Sequence, residues 1–131
     1  MTLFVDASAL VAIIAGEPEQ VDLAIQVRDD NDPLWSAMTE WETVTALSRS
    51  YGYSSEAAQR EVSDVAAARP LRRVPIGGDE AALAIAAYRS YGKGRHPAAL
   101  NMGDCFAYAC AKANDARLLY KGNDFAQTDL A

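Results

Sequence analysis

Apolar positions along this chain fall at two different spacings, and the spacing changes at turn residues. Thr2 to Val5 is a short apolar run that reads as a strand ending at Asp6. Ser8 to Ala15 is apolar at helical spacing, and Gly16 stops it. Glu17 and Pro18 open a second helix through about Arg28, with Val21, Ala24, Ile25 and Val27 as its apolar positions. The run DDNDP is a turn. Leu34 to Ala37 reads as a brief strand, and Thr39 as the cap of a helix through about Ser50 with Trp41, Val44 and Leu47 as its stripe. Gly52 ends that helix. Ser54, Ser55 and Glu56 start another, which stops before Pro70.

The second half repeats the alternation. Leu71 to Ile76 predicts a third strand, Gly77-Gly78 a turn, and Asp79 to Tyr91 an alanine-rich helix. A long basic loop, GKGRHPAALNMG, leads to a helix over Asp104 to Asp115, with Phe106, Ala109, Cys110 and Ala113 at core spacing. Arg117 to Tyr120 is the fourth strand, and KGNDFAQTDLA closes the chain. Strands alternating with helices predict an α/β fold, a parallel sheet covered on both faces. Ligands of such folds bind beyond the carboxyl ends of the strands, where the strand order reverses.

Composition narrows the function. The 131 residues are expected to form one domain, 1–131, and 50% hydrophobic content suffices for a core. Twelve basic against 18 acidic side chains leave a formal charge of -6, which excludes a protein that coats DNA through a basic surface. A nuclease remains open, since bound cations reverse the charge of an acidic site. Cys105 and Cys110 stand about 140° apart on one helix and read as core residues, not a disulfide. The apolar start has no basic leader and no run is long enough to span a membrane, so a cytoplasmic protein is expected.

Four acids stand at the edges of predicted elements. Asp6 and Asp124 follow strands, Glu42 lies in a helix, and Asp104 opens one, where the helix dipole favours its ionised form. If the strands are parallel neighbours, these carboxylates converge, and converging carboxylates need protons or cations between them. Singly, each has a plainer reading: Asp6 as a helix cap with Ser8 assisting, Glu42 as a solvated helix residue like Glu40, Asp104 as an N-cap, Asp124 as an Asx turn after Asn123. The conjunction favours a divalent-metal site.

The segments LFVDASALVAIIAGEPE, SAMTEWETVTAL and HPAALNMGDCFAYACAKANDARLLYKGNDFAQTD resemble the PIN-domain family, and within it the VapC toxins of bacterial toxin–antitoxin pairs. The likeness runs through nearly the whole chain. It implies a three-layer α/β/α sandwich around a parallel sheet of four to five strands, the last one short. It also implies a metal-dependent endoribonuclease. Asp6, Glu42, Asp104 and Asp124 fall on the family's acidic positions, as catalytic and metal-holding residues for Mg2+ or Mn2+. Ser8, Asn101 and Thr128 fall on polar positions around them. Expected partners are RNA and a VapB-like antitoxin, in a homodimer and a toxin–antitoxin hetero-oligomer, with no membrane.

Lys93, Arg95 and His96 precede Asp104 and are candidate RNA-phosphate contacts, or solvated loop charges. Val11, Ile14 and Trp41 offer apolar surface to an antitoxin helix. Trp35, Trp41, Tyr108 and Tyr120 read as packing residues. Three rivals stand beside this reading. A phosphorelay receiver wants a pair of acids after strand one, and only Asp6 is there. A flap-type DNA nuclease wants an extra helical arch. A catalytically silent PIN module that binds RNA or protein is the main alternative.

Overall fold

A computed structural model describes residues 2–131. Its elements run β1 (Leu3–Val5), α1 (Ala7–Ala15), α2 (Gln20–Asp29), β2 (Leu34–Trp35), α3 (Ala37–Tyr51), α4 (Ser55–Ala68), β3 (Arg72–Arg73), α5 (Gly78–Tyr91), α6 (Met102–Ala113) and β4 (Arg117–Leu119). The four strands form one parallel sheet in the order β3-β2-β1-β4. The order therefore reverses at β1, with β2 on one side and β4 on the other, so the crevice between β1 and β4 is the place where such a sheet takes a ligand.

Strand side chains alternate between two cores, as a period of two requires. Phe4, Leu34 and Leu118 pack with α5 and α6, among Ala84, Ala87, Ala109 and Cys110. Leu3, Val5, Trp35 and Leu119 pack on the opposite face with α1 to α4, among Leu10, Leu23, Leu47 and Val62. The result is the expected α/β/α sandwich. Both cysteines are free and buried. No helix among the described residues is long and apolar enough to cross a membrane.

Several boundaries differ from expectation. Ser36, not Thr39, caps α3: Thr39 is three residues in, and its backbone N–H donates to Ser36 Oγ at 3.2 Å while Ser36 N–H donates to Thr39 Oγ1 at 3.3 Å. Likewise Asn101 caps α6 and Asp104 sits at the third position. Gly77 is the N-cap of α5 rather than part of a turn, and the Glu80 carboxylate accepts its N–H at 2.7 Å. The third strand is cut from six residues to two. Both are exposed on the sheet's edge, and Pro75 cannot donate to a ladder. After β4 the chain makes turns, and no fifth strand forms among the described residues.

Two apolar stripes also point elsewhere than expected. On α3 the buried positions are Thr39, Thr43 and Leu47, and Trp41 is 61% exposed. On α2 Leu23 and Val27 are buried, while Val21 is 68% and Ile25 40% exposed.

Candidate metal centre

Asp6 is the N-cap of α1. Its Oδ2 accepts the backbone N–H of Ser8 at 3.0 Å and the Ser8 hydroxyl at 2.6 Å. Ser8 Oγ in turn accepts the N–H of Lys121, just past β4, at 3.0 Å. Asp6 N–H donates to Leu119 O at 2.9 Å. The ends of β1 and β4 are thus stitched together around one buried carboxylate, itself 5% exposed.

Asp104 comes from the opposite layer. Asn101 Oδ1 accepts the Asp104 N–H at 2.9 Å, and Asp104 Oδ2 accepts the Asn101 N–H at 3.1 Å. This reciprocal cap holds the carboxylate at the positive end of α6. For both aspartates the hydrogen bonds fall on Oδ2. Glu42, half-buried on the second turn of α3, faces the start of α6 at Gly103.

The electrostatics join these groups. Burial pushes Glu42 up to about 7, and the charges of Asp6 and Asp104 push the same way. Burial also takes Asp104 to about 7, against the Asn101 N–H bond, with Asp6 and Asp124 adding repulsion. Asp6 is raised by burial and by Asp124, against hydrogen bonds from Ser8 and Ala7. Asp124 is exposed, on the turn after β4, and its field reaches both aspartates. Asp6 and Asp104 thus act on Glu42, and Asp124 acts on the two aspartates. Among the described residues no three His, Cys, Asp or Glu side chains are already gathered at ligand distance. The donor set still fits a hard divalent cation: all oxygens, mutual repulsion to relieve, and few enough carboxylates to leave room for water.

Asp124 is held from the C-terminal side. Phe125 next to it is buried at 1% exposure and stacks edge-on with Tyr120 at 5.1 Å. Thr128 is buried and donates to Phe125 O at 2.9 Å. Asp129 accepts from Tyr108 Oη at 2.7 Å and from Lys112 Nζ at 2.5 Å.

The three loop cations are not drawn to the acids. Arg95 stacks on Tyr88 at 4.8 Å, and His96 packs edge-on against Tyr91 at 5.2 Å and accepts the Ala98 N–H. Lys93 lines a cavity with Met102 and Phe106 on the outer side of α5 and α6. A different basic rim adjoins the acids. A cavity of about 300 Å³ is lined by Ser8 and Glu42 together with Val11, Trp41, Arg49 and Lys121. Lys121 pairs with Glu17 at 2.8 Å. Sequence reasoning missed Arg49 and Lys121, which the packing of α1 on α3 and the pairing of β1 with β4 bring to one cavity. Arg49 lies seven residues after Glu42, two helical turns along the same face, so spacing could have flagged it. Glu40, by contrast, pairs with Arg73 on the sheet's edge strand.

The PIN domain family model matches residues 3–130. The chain belongs to the PIN-domain family. Relatives place this PIN domain among the VapC ribonucleases. It is 40% identical to Ribonuclease VapC30 of Mycobacterium tuberculosis, over 98% of this chain and 96% of the relative. It is 40% identical to Ribonuclease VapC of Mycolicibacterium smegmatis, over 98% of each chain. Two solved structures share the PIN fold at a TM-score of 0.69. One is Mycobacterium tuberculosis VapC20, a sarcin-ricin loop cleaving toxin, at 20% identity, with 95% of this chain and 92% of that one covered. The other is a toxin–antitoxin complex from Klebsiella pneumoniae, at 19% identity, with 99% and 94% covered.

Proposed function

We propose that this PIN domain is a divalent-metal-dependent endoribonuclease, the toxin of a VapBC-type pair, acting on RNA phosphodiester bonds. One observation carries the reading. Asp6, Glu42 and Asp104, from three separate elements, come together at the reversal point of the sheet, where the charges of Asp6 and Asp104 both act on Glu42 and the Glu42 carboxylate stands over Gly103 beside Asp104. A fold gains nothing in stability from such crowding, so the acids are retained for a ligand.

Asp6 and Asp104 are assigned as direct ligands, each with Oδ2 held by hydrogen bonds and the rest of the carboxylate free to turn to a cation. Asp124 is assigned as a ligand reached directly or through water. A Mg2+ or Mn2+ ion held there supplies charge neutralisation and a water acidic enough to attack phosphorus in line. Glu42, raised to about 7 when no cation is bound, would be the group to take a proton from the attacking water. Ser8 and Asn101 fix the two aspartates. Arg49 and Lys121, which line the cavity that holds Ser8 and Glu42, are assigned to grip RNA phosphates, beside Lys93, Arg95 and His96 of the loop before α6.

The antitoxin is assigned to an apolar groove of about 360 Å³ between α1, α2 and α4, where Val21 and Ile25 stand exposed beside Leu10, Ile13 and Val65. An amphipathic helix fits such a surface. Self-association is assigned to the outer face of α5 and α6, where Ile85, Tyr88 and Met102 are exposed.

The test is cleavage of a mixed RNA pool by purified, partner-free protein with Mg2+, Mn2+ or EDTA, beside Asp6→Asn. Metal-dependent cutting that disappears in the variant supports the reading. A folded protein that neither binds metal nor cuts supports the silent module instead.

A further inference from the structure

Gly103 is the second residue of α6, between the cap Asn101 and Asp104. Its backbone is ordinary right-handed helix, unlike Gly16, Gly52, Gly94 and Gly122, which have positive φ. Backbone freedom therefore does not call for glycine here. What stands over it does. A Cβ at this position would lie 1.7 Å from Glu42 Oε2, 2.3 Å from Cδ and 2.7 Å from Oε1. The whole Glu42 carboxylate occupies the space where a side chain would begin. Elsewhere in the chain the neighbours are different: Gly92 is crowded by the backbone of its own helix at 2.4 Å, and Gly52, Gly78, Gly94 and Gly122 face open space.

The obstacle at Gly103 is the far end of a side chain, so a methyl group there is relieved by rotating Glu42 away. The route matters because α3 and α6 belong to opposite layers of the sandwich. They approach at the start of α6, where the Glu42 carboxylate stands over Gly103. The geometry points to Gly103 as a positioning residue for Glu42: its missing side chain is the seat that keeps the Glu42 carboxylate beside Asp6 and Asp104. Any Cβ at 103 evicts Glu42 from the centre while leaving its carboxylate in the protein. This inference rests on the reading of the acid cluster given above.

The test is a double-mutant cycle on the full chain: wild type, Gly103→Ala, Glu42→Ala and the double variant. Readouts are Mn2+ affinity by electron paramagnetic resonance titration, cleavage of the RNA pool, and the melting temperature in EDTA. Gly103→Ala is expected to weaken Mn2+ binding about 10-fold, with its melting temperature kept or raised, because alanine is the better helix former. In the Glu42→Ala background the same change costs nothing further, since the carboxylate it displaces is gone. Wild-type affinity and cleavage in Gly103→Ala overturn the inference. So does a loss that adds in full to that of Glu42→Ala, which marks a packing role independent of Glu42. If Gly103→Ala fails to fold, recovery of folding in the double variant supports the collision, and no recovery overturns it. A wild-type protein that neither binds Mn2+ nor cuts RNA overturns the cluster reading and this inference together.

Discussion

Replacing Glu42 by glutamine should stabilise the metal-free protein at pH 8 and leave it unchanged at pH 4.5. Glu42 is held at about 7 in the folded chain against an ordinary value of 4.5. The sign follows from linkage: below the ordinary value both folded and unfolded chains carry the proton and nothing is lost. Between 4.5 and about 7 the unfolded chain releases the proton first, so stability falls as pH rises. Above that window the whole penalty is present. Its ceiling is about 3.4 kcal/mol, from 1.36 kcal/mol for each step of one in pKa. Glu42 is only half-buried and titrates together with its neighbours, so screening and coupling reduce this to roughly 1–2 kcal/mol. A chain of this length moves by roughly 3–4 °C per kcal/mol, giving a rise of about 3–8 °C for Glu42→Gln. Glutamine keeps the shape that fits over Gly103, so packing stays constant. The assay is thermal unfolding in EDTA at both pH values, repeated with saturating Mn2+, where the gain should shrink because the cation supplies the missing charge. A variant no more stable than wild type at pH 8, or equally stabilised at pH 4.5, would refute the reasoning.

Cations compete with protons at Glu42 and Asp104, so Mn2+ affinity should climb with pH and level off above about 7; a titration series from acid to mild alkali checks this, and a flat profile contradicts it. Phe125→Ala should cost about 3–5 kcal/mol in urea unfolding and weaken Mn2+ binding too, because this buried ring anchors Asp124. Arg49→Ala should lower RNA affinity evenly across sequences and flatten its salt dependence by about one ion, with Mn2+ affinity unchanged. Ile25→Glu should abolish binding of an antitoxin helix without lowering the melting temperature, since Ile25 is 40% exposed; retained binding would move that partner to another face.

The layered architecture was legible because its signals are local. Gly16 and Gly52, both with positive φ, end α1 and α3 where the sequence places the stops. The apolar strands alternate with helical stripes. Capping was read less well, since Ser36 and Asn101 act through partners three residues on, and Thr39 and Asp104 look equally suitable as caps in isolation. The third strand was overestimated because an apolar run carries no sign of which residues find a ladder partner, and only Arg72 and Arg73 do. Trp41, Val21 and Ile25 were read as positions of apolar helix stripes, with Trp41 also offered to a partner helix. Their exposure depends on which helices pack alongside, which no single-chain pattern encodes. Asp6 and Asp124 could be expected at the carboxyl end of the sheet because they follow strands, whereas Glu42 and Asp104 lie on helices, and their approach depends on how α3 and α6 pack. Arg49, Lys121 and Gly103 were missed because their meaning comes from contacts between elements far apart in sequence.

The strand order has a consequence for how such a protein is made. The crevice lies between β1, the first strand of this sequence, and β4, the last. A growing chain that has emerged through α5 carries Asp6 and Glu42, yet neither Asp104 nor Asp124. It is also missing the strand that stitches to Asp6 and the helix whose start seats Glu42. Assembly of the centre therefore waits on contacts between the first and last strands, and a chain carrying only the elements through α5 is expected to be inactive.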